Sequence, residues 1–330
     1  MINGPDESKI RILHISDLHL REPLGIEAGI ILERFYSIIN ANAKEKPFSL
    51  VTITGDIRNG LGGISVDGAK QIIDNIAAAA IISDKNRINI IPGNHDLSRG
   101  KSKRIENIVA TYDYANGTFD DPRNDLPFML DRFTDFFWTL CDRYYGELNP
   151  WQGRSSHPHY LMMYSNNALI FLNSSLCCIN RTLDGSLILG TVYIKELLDT
   201  AVLNRCKRVF FFAHHPIQNL STPEEAAFIA LLSSYSDLSY FWMCGDAHST
   251  RLSPRENISI YQVGSLTITK GSIPDFAIYD ITETTINRRV FRFFGHLNNP
   301  AKPGRTAGGW KRVYIDPKAP GISYDETLDY

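Results

Sequence analysis

Five short polar clusters carry the residue types from which a hydrolytic metal centre is built: Asp17-Leu18-His19, Gly55-Asp56, Gly93-Asn94-His95-Asp96, His214-His215-Pro216 and Gly245-Asp246-Ala247-His248. Carboxylate, imidazole and amide donors suit Mn, Fe or Zn, and no cysteine falls in the set, which argues against a soft thiolate site. There are enough donors for two ions sharing a bridging carboxylate. Such a pair, about 3.5 to 4 Å apart, can clamp the attacking and leaving oxygens of an in-line displacement at phosphorus. Taken singly, the clusters have ordinary explanations: Asp17 as a helix cap, His19 as a surface imidazole, Gly55-Asp56 as a strand-to-turn pair. Taken together they point to one site, because every cluster follows directly on an apolar run.

Those runs are the elements that must position the donors. Ile10 to Ile15, Ser49 to Thr54 and Ile88 to Ile91 read as strands, separated by helices through Ile26–Ile39 and Val66–Ile82. This βαβαβ alternation predicts a sheet with parallel neighbours, and ligands bind such sheets at the carboxyl ends of the strands. From Gly100 to His159 the alternation stops. An aromatic-rich helix is expected around Leu126 to Tyr145, its stripe of Phe128, Phe133, Phe136, Phe137, Leu140 and Tyr144 facing a core; an aromatic platform for a base or sugar is the other reading of that stripe. Strands are expected again at Tyr160 to Tyr164, Ala168 to Leu172, Arg208 to Ala213 and Tyr240 to Cys244. A helix covers Thr191 to Leu203, and Thr222-Pro223-Glu224-Glu225 opens another as a capping box. Strand-like pieces near Ile258 to Val263, Phe276 to Tyr279 and Ile286 to Phe294 suggest an antiparallel second sheet. Beyond Leu297 the chain is Pro/Gly-rich without sustained periodicity and reads as a surface-wrapping extension or linker.

Composition narrows the classes. The 330 residues are 43% hydrophobic and 21% charged, which is a folded protein without disorder or coiled-coil bias. A formal charge of -2 lacks the basic footprint of bulk nucleic-acid binding, so nucleic acid stays open as a partner but is not indicated by charge. No apolar run approaches the ~18 residues of a membrane span, and the first ten residues lack a signal-peptide core. A cytoplasmic protein is expected, with five scattered cysteines as reduced core thiols and no membrane partner.

The order D-x-H, G-D, G-N-H-D, H-H-P, G-x-x-H resembles the calcineurin-like metallophosphoesterase superfamily, over about Ile12 to Phe294. The resemblance implies an α/β fold, a four-layer αββα sandwich of two mixed β-sheets flanked by helices. It implies a catalytic domain over residues 1–296, with 100–159 as a helical insertion and 297–330 as a C-terminal extension. It further implies two divalent metal ions, with Mn foremost and Fe, Mg or Zn as alternatives. Asp17, His19 and His248 would hold one ion, Asn94 and His214 the other, and Asp56 would bridge them together with a hydroxide that attacks phosphorus in line. His95 would be the non-ligating catalytic histidine, binding a phosphoryl oxygen or protonating the leaving group.

One departure is plain. The family motif G-H-x-H is replaced by Gly245-Asp246-Ala247-His248, so Asp246 stands where an imidazole of the second site is expected. The added negative charge calls for a harder or trivalent metal, or for a nearby arginine, Arg58 or Arg99; a degraded second site is the alternative. Asn59 stands where several branches carry an Asp that orients the catalytic histidine. His215 is expected at the substrate rim or behind the ligands, and His14 as a core histidine. The substrate expected is a phosphate ester, a phosphodiester of nucleotide or nucleic acid ahead of a monoester. A non-catalytic binding or effector module with a modified second site is the competing expectation, and nothing in the sequence addresses oligomeric state.

Overall fold

Uninterrupted apolar runs make buried strands, and polar residues at their ends turn the chain back. A computed structural model describes residues 9–98, 100, 102–153, 156–179, 186–267, 272–295, 308–315 and 322–324. In chain order the elements are β1 (Ile10–Ile15), α1 (Ile26–Glu45), β2 (Leu50–Thr54), α2 (Val66–Ala79), β3 (Ile88–Ile91), α3 (Ser102–Ala110), α4 (Pro122–Asp131), α5 (Thr139–Tyr145), β4 (Tyr160–Tyr164), β5 (Asn167–Phe171), α6 (Thr191–Leu203), β6 (Arg208–Phe212), α7 (Thr222–Ser233), β7 (Ser239–Cys244), β8 (Arg251–Arg255), β9 (Ile258–Gln262), β10 (Asp275–Ile281), β11 (Ile286–Gly295), β12 (Gly308–Ile315) and β13 (Ile322–Tyr324).

The strands form two mixed sheets, ordered β13-β12-β11-β10-β1-β2-β3 and β4-β5-β6-β7-β9-β8. β1, β2 and β3 run parallel, as do β5, β6, β7 and β9, so the carboxyl ends within each parallel set share one edge. The sheets meet face to face. The His14 ring of β1 lies 6.3 Å from Phe212 of β6, Tyr261 lies 5.7 Å from Tyr279, and Tyr160 donates to Asn89 Oδ1 at 3.1 Å. Helices cover the outer faces: Phe35 of α1 packs on Phe276 at 5.0 Å, and Phe228 of α7 on Phe211 at 5.4 Å. His14 is a buried core residue paired with Thr54 Oγ1 at 2.9 Å, and burial pushes its pKa down to about 3.

The pieces near Ile258, Phe276 and Ile286 do not form an antiparallel sheet of their own: β9 runs parallel to β7 in one sheet, while β10 and β11 extend the other beside β1, because their pairing edges lie far away in sequence. Three further features differ from the expectation. The helix expected over Leu126 to Tyr145 is two helices, α4 and α5, joined by a π-turn at Thr134–Trp138 that is closed by Trp138 N donating to Phe133 O at 3.0 Å. The wider turn brings Trp138 against Trp151 and lets its indole reach Leu130 O at 2.7 Å. Phe133, Phe136, Phe137, Leu140 and Tyr144 are buried, which removes the aromatic-platform reading of this stripe. The segment instead covers edge strand β3, where Tyr145 and Trp151 donate to the carbonyls of Ile88 and Ile90 at 2.7 and 3.0 Å. The helix start at Thr222 shifts by one residue: Ser221 is the cap, accepting from Glu224 N at 3.3 Å.

The third difference is in the C-terminal extension, which is more than a surface wrap. β12 pairs antiparallel with β11 and buries Trp310 among Phe276, Phe293 and Phe35 at centroid distances of 5.0, 5.5 and 6.2 Å. Its Gly-Gly-Trp-Lys start masks a strand on composition, while the neighbouring edge of β11 supplies the pairing partner. We expect Trp310→Ala to lower unfolding stability by about 3 kcal/mol in urea denaturation, as loss of a buried aromatic does. A change below about 0.5 kcal/mol, the scale of a surface substitution, would mean that β12 contributes no core.

Candidate metal centre

Each cluster follows a strand on the same edge, and backbone hydrogen bonds sew the loops together. Asp17 N donates to Gly55 O at 3.1 Å, His19 N to Asp56 O at 2.9 Å, and Gly245 N to His214 O at 2.9 Å. Close packing of this kind requires unusual backbone. Nine non-glycine residues among those described have positive φ, and Asp17, His19, Asp56, Asp246 and His248 are five of them. Left-handed conformations at such residues cost of order 1–3 kcal/mol each and persist only where the surroundings hold them. Gly93 supplies a close approach: a Cβ there would stand 2.2 Å from both Asp56 N and Asp56 Oδ1.

The side chains converge. His19 Nε2 and His248 Nε2 stand 3.0 Å apart, and Asp17 Oδ1 lies 3.5 and 3.2 Å from them. On the other side His214 Nε2 lies 3.6 Å from Asp246 Oδ1. Asp56 sits between the two groups, with Oδ2 3.7 Å from His19 Nε2 and Oδ1 3.5 Å from His214 Nε2. Donor atoms of Asp17, His19 and His248 lie within 4.8 Å of one another, as do those of Asp17, Asp56 and His214. Asn94 and His95 line the same cleft of about 670 Å³. The His95 ring packs edge-on to His19 at 5.0 Å, and its Nε2 is 3.9 Å from Asp56 Oδ2.

Second partners aim the donors inward. His214 Nδ1 bonds Thr54 O at 2.8 Å, which makes Nδ1 the donor and turns the Nε2 lone pair to the site. Asp17 Oδ2 accepts from Asp246 N at 2.9 Å, leaving Oδ1 toward the two imidazoles. Asp246 Oδ2 accepts from Asn219 Nδ2 at 3.0 Å, leaving Oδ1 toward His214. Asp17 Oδ1 and His214 Nε2 are buried without a hydrogen bond of good geometry, which is the state of a donor whose partner is a cation. The residues therefore fit a binuclear ion pair with mixed oxygen and nitrogen donors.

The electrostatics agree. Burial alone would raise Asp56, but His214, His19 and His95 outweigh it and hold the carboxyl below its usual range. Burial would likewise lower His214, but Asp56, Asp17 and Asp246 override it and raise the imidazole well above normal. Burial, with Asp17 and Asp56 nearby, raises Asp246 despite His214. A field that holds a proton on a buried imidazole favours a divalent cation in its place.

Several residues take other places than expected. Arg58 does not line the cleft: its guanidinium lies 4.5 Å over the Phe136 ring, and its Nε donates to His95 O at 3.2 Å, so it braces the His95 loop. Arg99 lies outside the described residues. Asn59 faces Arg21 rather than His95, its side-chain oxygen accepting from Nε and Nη2 of Arg21 at 3.0 Å each in the amide orientation that satisfies both. His215 is buried behind the site with Nδ1 on Ser174 Oγ at 2.9 Å and Nε2 toward Cys178, although a ring nitrogen stands within 4.8 Å of the His214 and Asp246 donors. Sequence reasoning missed Asn219, Arg21 and Asp96. Asp96 is fully buried and accepts from the backbone N–H groups of Gly93, Ile57 and Arg58 at 2.9, 3.3 and 3.1 Å, tying the Asp56 and Asn94 loops together. Burial and the adjacent Asp56 push Asp96 up to about 6. Its place at the end of Gly-Asn-His-Asp was the only available signal.

We expect Gly93→Ala to abolish retention of both ions, because the methyl group displaces Asp56. Elemental analysis after Mn loading, on protein shown to be folded by thermal melting, checks this; unchanged metal content would detach Asp56 from the site.

The calcineurin-like phosphoesterase family model matches residues 10–249, more than half of the chain. A curated relative, the uncharacterized metallophosphoesterase-like protein YydB of Bacillus subtilis, is 29% identical over 97 residues, which are 29% of this chain and 20% of that protein. Among solved structures, a dimetal phosphatase from Danio rerio is similar with a TM-score of 0.49 and 11% identity, over 86% of this chain and 95% of the other. GAP50, the anchor in the inner membrane complex of Plasmodium, has the same TM-score and identity over 86% of this chain and 85% of its own. With the family match covering every cluster from Asp17 to His248, the chain belongs to the calcineurin-like phosphoesterase family.

Proposed function

We propose that this chain is a binuclear metal-dependent phosphoesterase, with phosphodiesters of nucleotide or nucleic acid type as its favoured substrates. The observation that carries the proposal is Asp56, whose two oxygens face separate donor groups, His19 with Asp17 and His248 on one side and His214 with Asp246 on the other. Asn94, which lines the same cleft, would complete the second group. Two divalent ions bound there would supply Lewis-acid polarisation of the phosphoryl group and a water of lowered pKa. The mixed oxygen and imidazole donors, with three carboxylates among them, favour Mn.

The chain's own residues position the reaction. Asp17 and Asp56 stay ionised through their histidine neighbours, so negative charge is ready to hold cations without reorganisation. His95, on the cleft side of His19, is placed to hold a phosphoryl oxygen or deliver a proton to the departing oxygen. Arg58 and Asp96 hold the loop that carries it. The diester preference is supported by the His-Ile-Ser-Asp-Leu-His-Leu sequence around Asp17 and by a cleft wider than a single phosphate requires. A second reading, a phosphate-binding module without turnover, is favoured only by Asp246 in place of an imidazole. A cytoplasmic setting belongs to the same proposal; all five cysteines are buried free thiols, and among the described residues no helix is long and apolar enough to cross a membrane.

Two outcomes test the assignments. His95→Ala should retain both ions yet lose about 10²- to 10⁴-fold in turnover of esters with poor leaving groups, and less on bis-p-nitrophenyl phosphate. Equal losses on both would remove proton delivery and leave only oxygen binding. For the second site, Asp246→His should raise the Zn share after loading with Mn and Zn mixtures, whereas Asp246→Ala should lose one ion. Asn219→Ala should weaken that same ion by about tenfold, as loss of a supporting hydrogen bond does. Identical metal content in all variants would exclude Asp246 as a ligand.

A further inference from the structure

The cleft extends beyond the donor groups, where Leu20, Arg21, Leu24, Gly25, Glu27 and Ala28 line it. Arg21 is the only lysine or arginine among the described residues that line it. The residue is fixed at three points. Its backbone bridges Gly63, the preceding Leu20 O accepts from Asn59 N and Ile64 N at 3.0 Å each, and its Nε and one Nη2 hydrogen are engaged by the Asn59 side-chain oxygen. Two of the five donors of the guanidinium fork are thereby committed and the plane is set. A guanidinium held this way loses little freedom when it takes a further bidentate acceptor.

A second feature points to the same spot. α1 starts at Ile26 with Gly25, which has no side chain to cap it, as its cap residue, and Gly25 and Ala28 line the cleft beside Leu24. A Cβ on Gly25 would meet nothing within 4 Å, so that helix end opens on space. The positive end of a 20-residue helix and Arg21 thus line the same cleft as the metal ligands, together with the apolar Leu24 and Ala28. Glu27, in the first turn, also lines the cleft and is the opposing charge there.

On the phosphoesterase reading above, we propose that Arg21, clamped by Asn59, and the amino end of α1 form an anion subsite for a second phosphate of the substrate, separate from the phosphorus under attack. The substrate class is then a phosphoester carrying two phosphate groups joined by a small organic moiety or by an anhydride bridge. Cleft size is consistent with such a molecule, since pockets of about 300–1,000 Å³ enclose whole small ligands. The subsite also places a cation on the rim of a centre whose extra carboxylate, Asp246, works against an anionic substrate.

The test is isothermal titration of the full chain at saturating Mn with adenosine 5′-monophosphate, adenosine 5′-diphosphate and adenosine 3′,5′-bisphosphate. At least one doubly phosphorylated ligand should bind about tenfold or more tightly than the monophosphate, as a charge-assisted contact provides. Arg21→Ala should bring that ratio to about one. Arg21→Lys, which keeps the charge without the fork, and Asn59→Ala, which frees the fork, should both fall between. A ratio near one in the native chain, or an unchanged ratio in Arg21→Ala, overturns the subsite. Equal weakening of all three ligands by Arg21→Ala also overturns it, by assigning Arg21 to the phosphate at the metal centre. Absence of Mn-dependent hydrolysis of bis-p-nitrophenyl phosphate would reject the phosphoesterase reading independently of these binding ratios.

Discussion

Three carboxylates, Asp17, Asp56 and Asp246, are gathered at one edge of the sandwich, two of them buried, with Asp246 half-shielded. Buried carboxylates repel each other and resist desolvation unless positive charge lies among them. Everything around the site answers that constraint. Imidazoles of His19, His214 and His248 interleave with the acids, Asp56 is held between both groups, and the whole arrangement is arranged to accept cations rather than to satisfy itself. The unmet hydrogen-bonding capacity of Asp17 Oδ1 and His214 Nε2 is the local sign of this.

The fold meets the constraint by ending parallel strands of both sheets at one edge and closing their loops on each other. Left-handed backbone at five candidate ligands is the conformational cost of turning short side chains inward immediately after a strand. Glycine at 93 lets the β3 loop touch Asp56, and Asp96 ties the two loops through three backbone N–H groups. Arg58 then links the His95 loop to the aromatic insertion through Phe136, so a segment that looks remote in sequence braces that loop of the candidate site.

Legibility in the sequence followed the physics of each signal. Buried strands announce themselves as apolar runs, so β1, β2, β3, β6 and β7 were legible, and the candidate donors directly after them are the residues that the structure brings together. The helix at Thr191–Leu203 was readable for the same reason. β8, with Pro254 and charged ends, and β12, with paired glycines, are strands only because a neighbouring edge accepts them, and that information is non-local. The π-turn at Thr134–Trp138 preserves apolar spacing closely enough to pass for one helix. Residues that aim the ligands were the hardest to find: Asn219 reaches Asp246 across 27 positions, and Asn59 reaches Arg21 across a bridge between two loops, so neither carries a motif.

The central claim is that Asp56 divides two ion positions. Anomalous X-ray scattering from Mn-loaded crystals at the Mn edge tests it most directly. The account predicts two peaks about 3.5 to 4 Å apart with the Asp56 carboxylate between them, one bounded by Asp17, His19 and His248 and the other by Asn94, His214 and Asp246. A single peak, or peaks that leave Asp56 uncoordinated, would contradict it.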